Sequence, residues 1–114
     1  MKITKDQVAI PKTKGRGYKI IAFKEIAYCE ADGGYTILHL SNGETFVASR
    51  NLGTLESNLP KDVFIRIHNK YLANRYHFSE ISLDEQCAVI LKDGTALSIA
   101  HKRKASVFAV FQKM

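Results

Sequence analysis

Arg66, His68, Asn69 and Lys70 place a guanidinium, an imidazole, an amide and an ammonium within five consecutive residues, between the apolar positions 65, 67, 71 and 72. Arg and Lys neutralise phosphates and release condensed counterions, whereas Asn carries a donor and an acceptor able to pair with an adenine edge in a major groove. Presented together on a short exposed connection, these side chains suit a reader of duplex nucleic acid. A polar loop with a turn at Asn74 accounts for the same residues without any ligand.

The other titratable residues do not compose a catalytic or metal site. There is no Cys-x-x-Cys, no His-Glu-x-x-His and no glycine loop running from a strand into a helix. Glu30-Ala31-Asp32-Gly33-Gly34 leads instead into a strand, Tyr35 to Leu40, so its glycines read as a hairpin turn. Cys29 and Cys87 have no base near them in sequence, cannot make a disulfide framework, and read as small buried hydrophobes. His39, between Leu38 and Leu40 on an alternating strand, is expected on the solvated face of a sheet. His68 and His77 flank a basic loop without the further ligands that a metal needs, so structural or polar-contact roles are expected for both. Neither enzyme chemistry nor a metal or other cofactor is expected.

Charge narrows the partner. Across 114 residues, 17 Lys and Arg against 11 Asp and Glu leave a net charge of +6, a balance that points to a polyanion. The first 19 residues carry +5, residues 61 to 77 carry +3, and residues from His101 onward carry +4, on a body of −6. The length suits one domain, residues 1 to 114, with no linker or repeat inside it. No apolar run approaches the roughly 18 residues of a membrane span, and no signal-peptide segment follows the basic N-terminus, so a soluble, cytoplasmic protein is expected.

The elements that must position these groups are mostly strands. Short runs rich in β-branched and aromatic residues occur at Gln7 to Ile10, Tyr18 to Phe23, Ile26 to Glu30, Tyr35 to Leu40, Glu44 to Ser49, Phe64 to Ile67, His77 to Leu83, Cys87 to Leu91 and Thr95 to Ile99. Asn42-Gly43 and Asp93-Gly94 predict two hairpins with type I′ turns. Leu52, Leu55 and Leu59 share one helical face, with Ser49 or Asn51 as cap and Pro60 as stop. A second helix is expected from His101 to Met114, with Val107, Val110 and Phe111 on one side.

The run Phe-Ile-Arg-Ile-His-Asn-Lys-Tyr-Leu-Ala-Asn from Phe64 resembles the signature Phe-x-Arg-x-His-x-Ser-Tyr-x-Val-Asn of the LytTR family of bacterial DNA-binding domains. Ile26-Ala27-Tyr28-Cys29-Glu30-Ala31 with the following turn resembles the family's opening. Leu52 to Pro60 resembles its helix, and Leu91-Lys92-Asp93-Gly94 through Ile99 its last hairpin. The likeness covers about residues 7 to 112. It implies an all-β-dominated fold, an elongated stack of small antiparallel sheets with one or two short helices. It also implies double-stranded DNA as partner, read in successive major grooves by loops and strand ends, in the output half of two-component response regulators. By position, the implied contacts are the turn at Gly34 and Tyr35, the segment Arg66, His68, Asn69 and Lys70 with Asn69 facing a base and Arg66 and Lys70 on phosphates, and the junction at His101.

Two departures bear on that last junction and on the chain's context. Where the family often ends its last strand with Val-Ser-Arg-Arg, this chain has Ile99-Ala100-His101-Lys102, without the Arg that could grip guanine bidentately; either Lys102 or Arg103 substitutes, or this element recognises a different base. A receiver domain would need about a hundred further residues upstream. The absence of a heptad pattern predicts a monomer in solution, with two copies assembling on a repeated site. Two other classes fit the same composition: an OB-like binder of single strands or RNA, stacking bases on Tyr18, Tyr35, Tyr71 and Tyr76, and a β module that binds no nucleic acid.

Overall fold

The computed structural model describes residues 6–111 and 113. Lys2 and Lys5, counted in the N-terminal basic segment, lie outside them, as do Gln112 and Met114 of the expected second helix.

The described residues form three antiparallel sheets. Strands β1 (Gln7–Pro11) and β2 (Tyr18–Ala22) make a hairpin; β3 (Ile26–Asp32), β4 (Tyr35–Leu40), β5 (Thr45–Ala48), β6 (Phe64–His68) and β7 (Tyr71–Asn74) make a central sheet in the order β5-β4-β3-β7-β6; and β8 (Phe78–Ser82), β9 (Ala88–Leu91) and β10 (Ala96–Ser98) make the third. Helix α1 spans Leu52–Asn58 and α2 Lys104–Phe108, preceded by a 3₁₀ turn at His101–Arg103. None of these helices is long and apolar enough to cross a membrane.

Each face of the central sheet buries its own cluster. On one, Cys29, Leu38, Ala48, Phe64 and Leu72 pack with Ile10 and Ile21 of the hairpin, with Leu52 and Leu55 of α1 and with Leu59 just after it. On the other, Ala27, Ile65, Ile67 and Ala73 pack with Val89, Leu91 and Leu97 of the third sheet, Ile99 just after it and Val107 of α2. Burying each large aliphatic side chain contributes about 1.5 to 3 kcal/mol, so these clusters fix the stacking of the sheets, and the molecule is a slab of 45 × 41 × 24 Å.

α1 forms as its leucine spacing requires. Asn51 is the cap, its side chain accepting from the Thr54 amide at 2.8 Å, and the helix stops at Leu59 before Pro60. α2 is shorter than expected, but Val107, Val110 and Phe111 do join the second cluster.

Two local expectations are corrected. Both Asn-Gly and Asp-Gly hairpins form, yet only their glycines take positive φ, 89° at Gly43 and 93° at Gly94, so neither turn is type I′. The Gly43 amide donates to Leu40 O at 3.0 Å and the Gly94 amide to Leu91 O at 2.8 Å, which closes three-residue loops with the glycine in the left-handed position. The exposed connection expected between Ile67 and His77 is instead the hairpin β6–β7, with β7 inside the sheet beside β3. Its last three residues, Leu72, Ala73 and Asn74, are all buried, so the strand lacks the alternation that marks a half-exposed one.

Asn74 is the polar residue this packing depends on. Its amide donates to Phe23 O at 3.1 Å and Ile26 O at 3.0 Å, and its oxygen accepts from the Tyr76 amide at 2.9 Å. It joins the end of β7 to the start of β3.

Candidate nucleic-acid interface

Antiparallel registers decide which loops share an end of the central sheet. Glu30 pairs with Tyr71, and the Ala31 amide donates to Lys70 O at 2.8 Å, so the β3–β4 turn at Gly33-Gly34 and the β6–β7 turn at Asn69-Lys70 project from the same edge. The Ala100 amide donates to Ile67 O at 2.8 Å, which sets the 3₁₀ turn at His101 against the end of β6. Thr36 pairs with Ala48 and its hydroxyl donates to Arg50 O at 2.8 Å, bringing the segment after β5 to this edge as well. Three elements that are 30 or more residues apart in sequence thus converge: Gly34 and Tyr35, His68 to Lys70, and His101 with Lys102.

Their side chains differ in availability. Tyr35 is about half exposed, and Asn69, Lys70, His101 and Lys102 are exposed. The Asn69 amide makes no hydrogen bond among the described residues, while its backbone oxygen accepts from Arg66 Nη2 at 2.7 Å. His68 Nδ1 accepts from the Lys70 amide at 3.1 Å, so the ring proton sits on Nε2 and the imidazole tilts against Tyr71 with centroids 5.7 Å apart. Gly33 holds φ +60°, which a side chain tolerates poorly, whereas Gly34 has no such constraint and a Cβ there would meet open space. The bare turn lets a partner approach its backbone closely.

Arg66 departs from the exposed placement expected of it. Arg66 is only 15% exposed; Nε donates to His68 O at 2.7 Å, Nη2 to Asn69 O, and Nη1 to Glu56 of α1 at 2.6 Å. With all three nitrogens engaged and the charge met by Glu56, Arg66 positions the turn from within. Arg103 turns into a groove of about 220 Å³ shared with Glu56, Lys61, Arg66 and Ser106, and its buried Nε has no partner among the described residues. Lys61 lines the same groove as Arg66, but Arg75 lies at the far end of β7 and stacks over Tyr76 and Phe111, so the basic segment of residues 61 to 77 is not one patch.

His39 is not simply solvated. It stacks on its cross-strand neighbour Tyr28 at 4.1 Å and bonds Glu30 at 2.8 Å. Burial, with help from the Glu30 carboxylate, raises the Tyr28 phenol above its ordinary range. His77 bonds Lys24 O at 2.8 Å, a structural role. Cys29 is fully buried and its thiol is pushed up to about 12 by desolvation. Among the described residues no group of three or more His, Cys, Asp or Glu could hold a metal.

Arg50 and the loop between β1 and β2 went unassigned in the sequence. The bridge between Lys12 and Ala48, and the bond from the Ser49 amide to Pro11 O at 3.2 Å, bring that loop to the same edge. Nothing in the order of residues ties position 12 to position 48, so the sequence carries no signal that these cations reach the edge.

Three small antiparallel sheets stacked in this way, with exposed cations along one edge, define the class of domain. Residues 16–112 match the family model of the LytTr DNA-binding domain, and the chain belongs to this family of DNA-binding domains. It is 26% identical over 98 residues to the CO-responsive transcriptional regulator RcoM of Rhodospirillum rubrum, covering 86% of this chain and 41% of that protein, so the chain spans under half the length of this relative. The solved LytTr DNA-binding domain of a Bacillus cereus response regulator superposes with a TM-score of 0.77 at 23% identity, over 94% of this chain and 97% of that one. The shared fold extends through nearly all of the slab.

Proposed function

We propose that this domain binds double-stranded DNA sequence-specifically in bacterial transcription regulation, with its cationic edge laid across successive major grooves. The observation that carries the reading is the convergence of Tyr35, Asn69, Lys70, His101 and Lys102 on one edge while the helices stay on the faces. Asn69, free and exposed at a hairpin tip, is the base reader; Lys70 and Lys102 meet phosphates; His68 offers an Nε2 proton and Arg66 holds the tip in place. The longest helix among the described residues has seven residues, about 10 Å, too short to serve as a recognition helix along a groove. The chain spans under half of RcoM, a CO-responsive regulator, and this domain would take its signal from a further segment, such as a receiver upstream, and would work in the cytoplasm where the DNA is.

The open sheets are not the closed barrel of an OB-fold, and the exposed tyrosines are scattered: Tyr18 on the first hairpin, Tyr35 at the cationic edge, Tyr76 at the far end. Tyr71 packs against Tyr28 and His68, and among the described residues Tyr18, Tyr35 and Tyr76 share no stacking platform.

The test is a selection of duplex ligands followed by anisotropy titrations at several salt concentrations, with single-stranded competitors. With about five phosphates neutralised, log K should fall against log salt with a slope of roughly −4 to −5, and single strands should compete poorly. Light scattering should find a monomer without DNA and two copies on a repeated site. Equal affinity for random and selected duplex, or a slope near zero, would refute this reading.

A further inference from the structure

We infer that the β1–β2 loop, with Arg50 beside it, is a separate clamp for DNA backbone phosphates on the flank of the site. This rests on the duplex-binding reading above and adds a contact outside the motif positions at Gly34 and Tyr35, Arg66 to Lys70 and His101; Lys12 and Lys14 precede the matched residues, and Arg16, Lys19 and Arg50 lie within them.

The loop is built to present charge. Lys12, Lys14, Arg16 and Lys19 fall within eight residues that hold no acid, and all four are exposed. Gly15 and Gly17 take φ of 72° and 113°, which let the chain turn tightly, and the Lys12 amide closes the loop onto Gly17 O at 3.2 Å. Arg50 stands across the bridge, one guanidinium nitrogen donating to Ser49 O at 3.0 Å and Ser49 Oγ at 3.3 Å. These are exposed bonds that a phosphate can replace.

Spacing separates this clamp from the reading tip. In the order β5-β4-β3-β7-β6, the Asn69 turn lies between the fourth and fifth strands and the β1–β2 loop beyond the first. At about 4.8 Å per strand the two are roughly 20 Å apart, wider than a major groove of about 12 Å. The loop therefore meets the backbone beside the groove that Asn69 enters, and its cations grip phosphates without choosing bases.

The experiment compares the intact chain with the double variant Lys14→Ala/Arg16→Ala and, separately, with Arg50→Gln. Affinity and salt slope are measured on the selected duplex, on random duplex, and on a selected duplex shortened on one flank at a time. The double variant should weaken binding equally on selected and random duplex and make the salt slope shallower by about two units, Arg50→Gln by about one. Shortening the contacted flank should abolish the difference between variant and parent. Unchanged affinity and slope in both variants, with a parent that still prefers its selected duplex, would overturn the clamp and leave the duplex reading intact. A changed ratio of selected to random affinity would also overturn it, since phosphate contacts do not discriminate. A parent that shows no duplex preference would remove both together. Melting temperatures within a degree or two of the parent confirm that the loop substitutions leave the fold in place.

Discussion

Arg66 on β6 reaches Glu56 on α1 at 2.6 Å and, with its other nitrogens, holds the carbonyls of His68 and Asn69 at 2.7 Å each. One guanidinium thus ties the hairpin tip to the helix beneath it. Arg is suited to this because its planar fork serves several acceptors at once, which an ammonium on a flexible stem does not.

Arg66→Lys should therefore keep the net charge and lose the geometry. Charged hydrogen bonds of this kind are each worth about 1.5 to 3 kcal/mol, less where solvent screens them, so a stability loss of about 1 to 3 kcal/mol is expected. The ratio of selected to random duplex affinity should fall too, as Asn69 loses its fixed position. Urea unfolding together with paired titrations checks both effects; an unchanged ratio would show that the tip holds itself.

Asn69 and Lys70 should fail differently. Asn69→Ala should cost about 1 to 3 kcal/mol on the preferred duplex and little on random duplex, relaxing the choice at one base pair. Lys70→Ala should weaken binding on all sequences alike and make the salt slope shallower by about one unit. Titrations of both variants, with melting temperature as control, separate reading from gripping. A drop in stability for Asn69→Ala with an unchanged ratio would make Asn69 a turn residue only.

The two glycines of the β3–β4 turn should also separate. Gly33→Ala forces a side chain into the left-handed region and should cost about 1 to 2 kcal/mol, whereas Gly34→Ala should be nearly neutral in stability. Denaturant midpoints decide the matter, and equal losses would contradict the assigned turn.

Asn74→Leu should be among the most damaging single changes. It leaves Phe23 O, Ile26 O and the Tyr76 amide without their partner in a site where Asn74 is 1% exposed. At about 1 kcal/mol per lost bond plus the penalty for stranded buried groups, a loss of about 3 kcal/mol or more is expected from urea unfolding.

The thiols should react unequally. Cys29, with no exposed surface and a thiol pushed up to about 12, should resist alkylation at neutral pH until the chain unfolds, while half-buried Cys87 should be modified in the native state. Mass spectrometry of the labelled peptides, with and without denaturant, reads the difference.

Much of the architecture is legible in the chain itself. The alternating runs at Tyr35–Leu40 and Phe64–His68, the Asn51 cap with its leucine face, and the glycines at 43 and 94 are local signals, and local signals survive folding because they act on neighbours in sequence. Those signals, with the Phe64 motif, determine the class of the domain. What the sequence could not decide is everything that depends on strand register. The engaged state of Arg66 follows from where α1 packs; the burial of Leu72, Ala73 and Asn74 follows from the place of β7 between β3 and β6; and the shared edge of Lys14, Arg50, Asn69 and His101 follows from pairings such as Lys12 with Ala48 and Glu30 with Tyr71. A one-residue slip in any of those pairings would turn the same side chains to the other face, so their meeting is a property of the folded sheet.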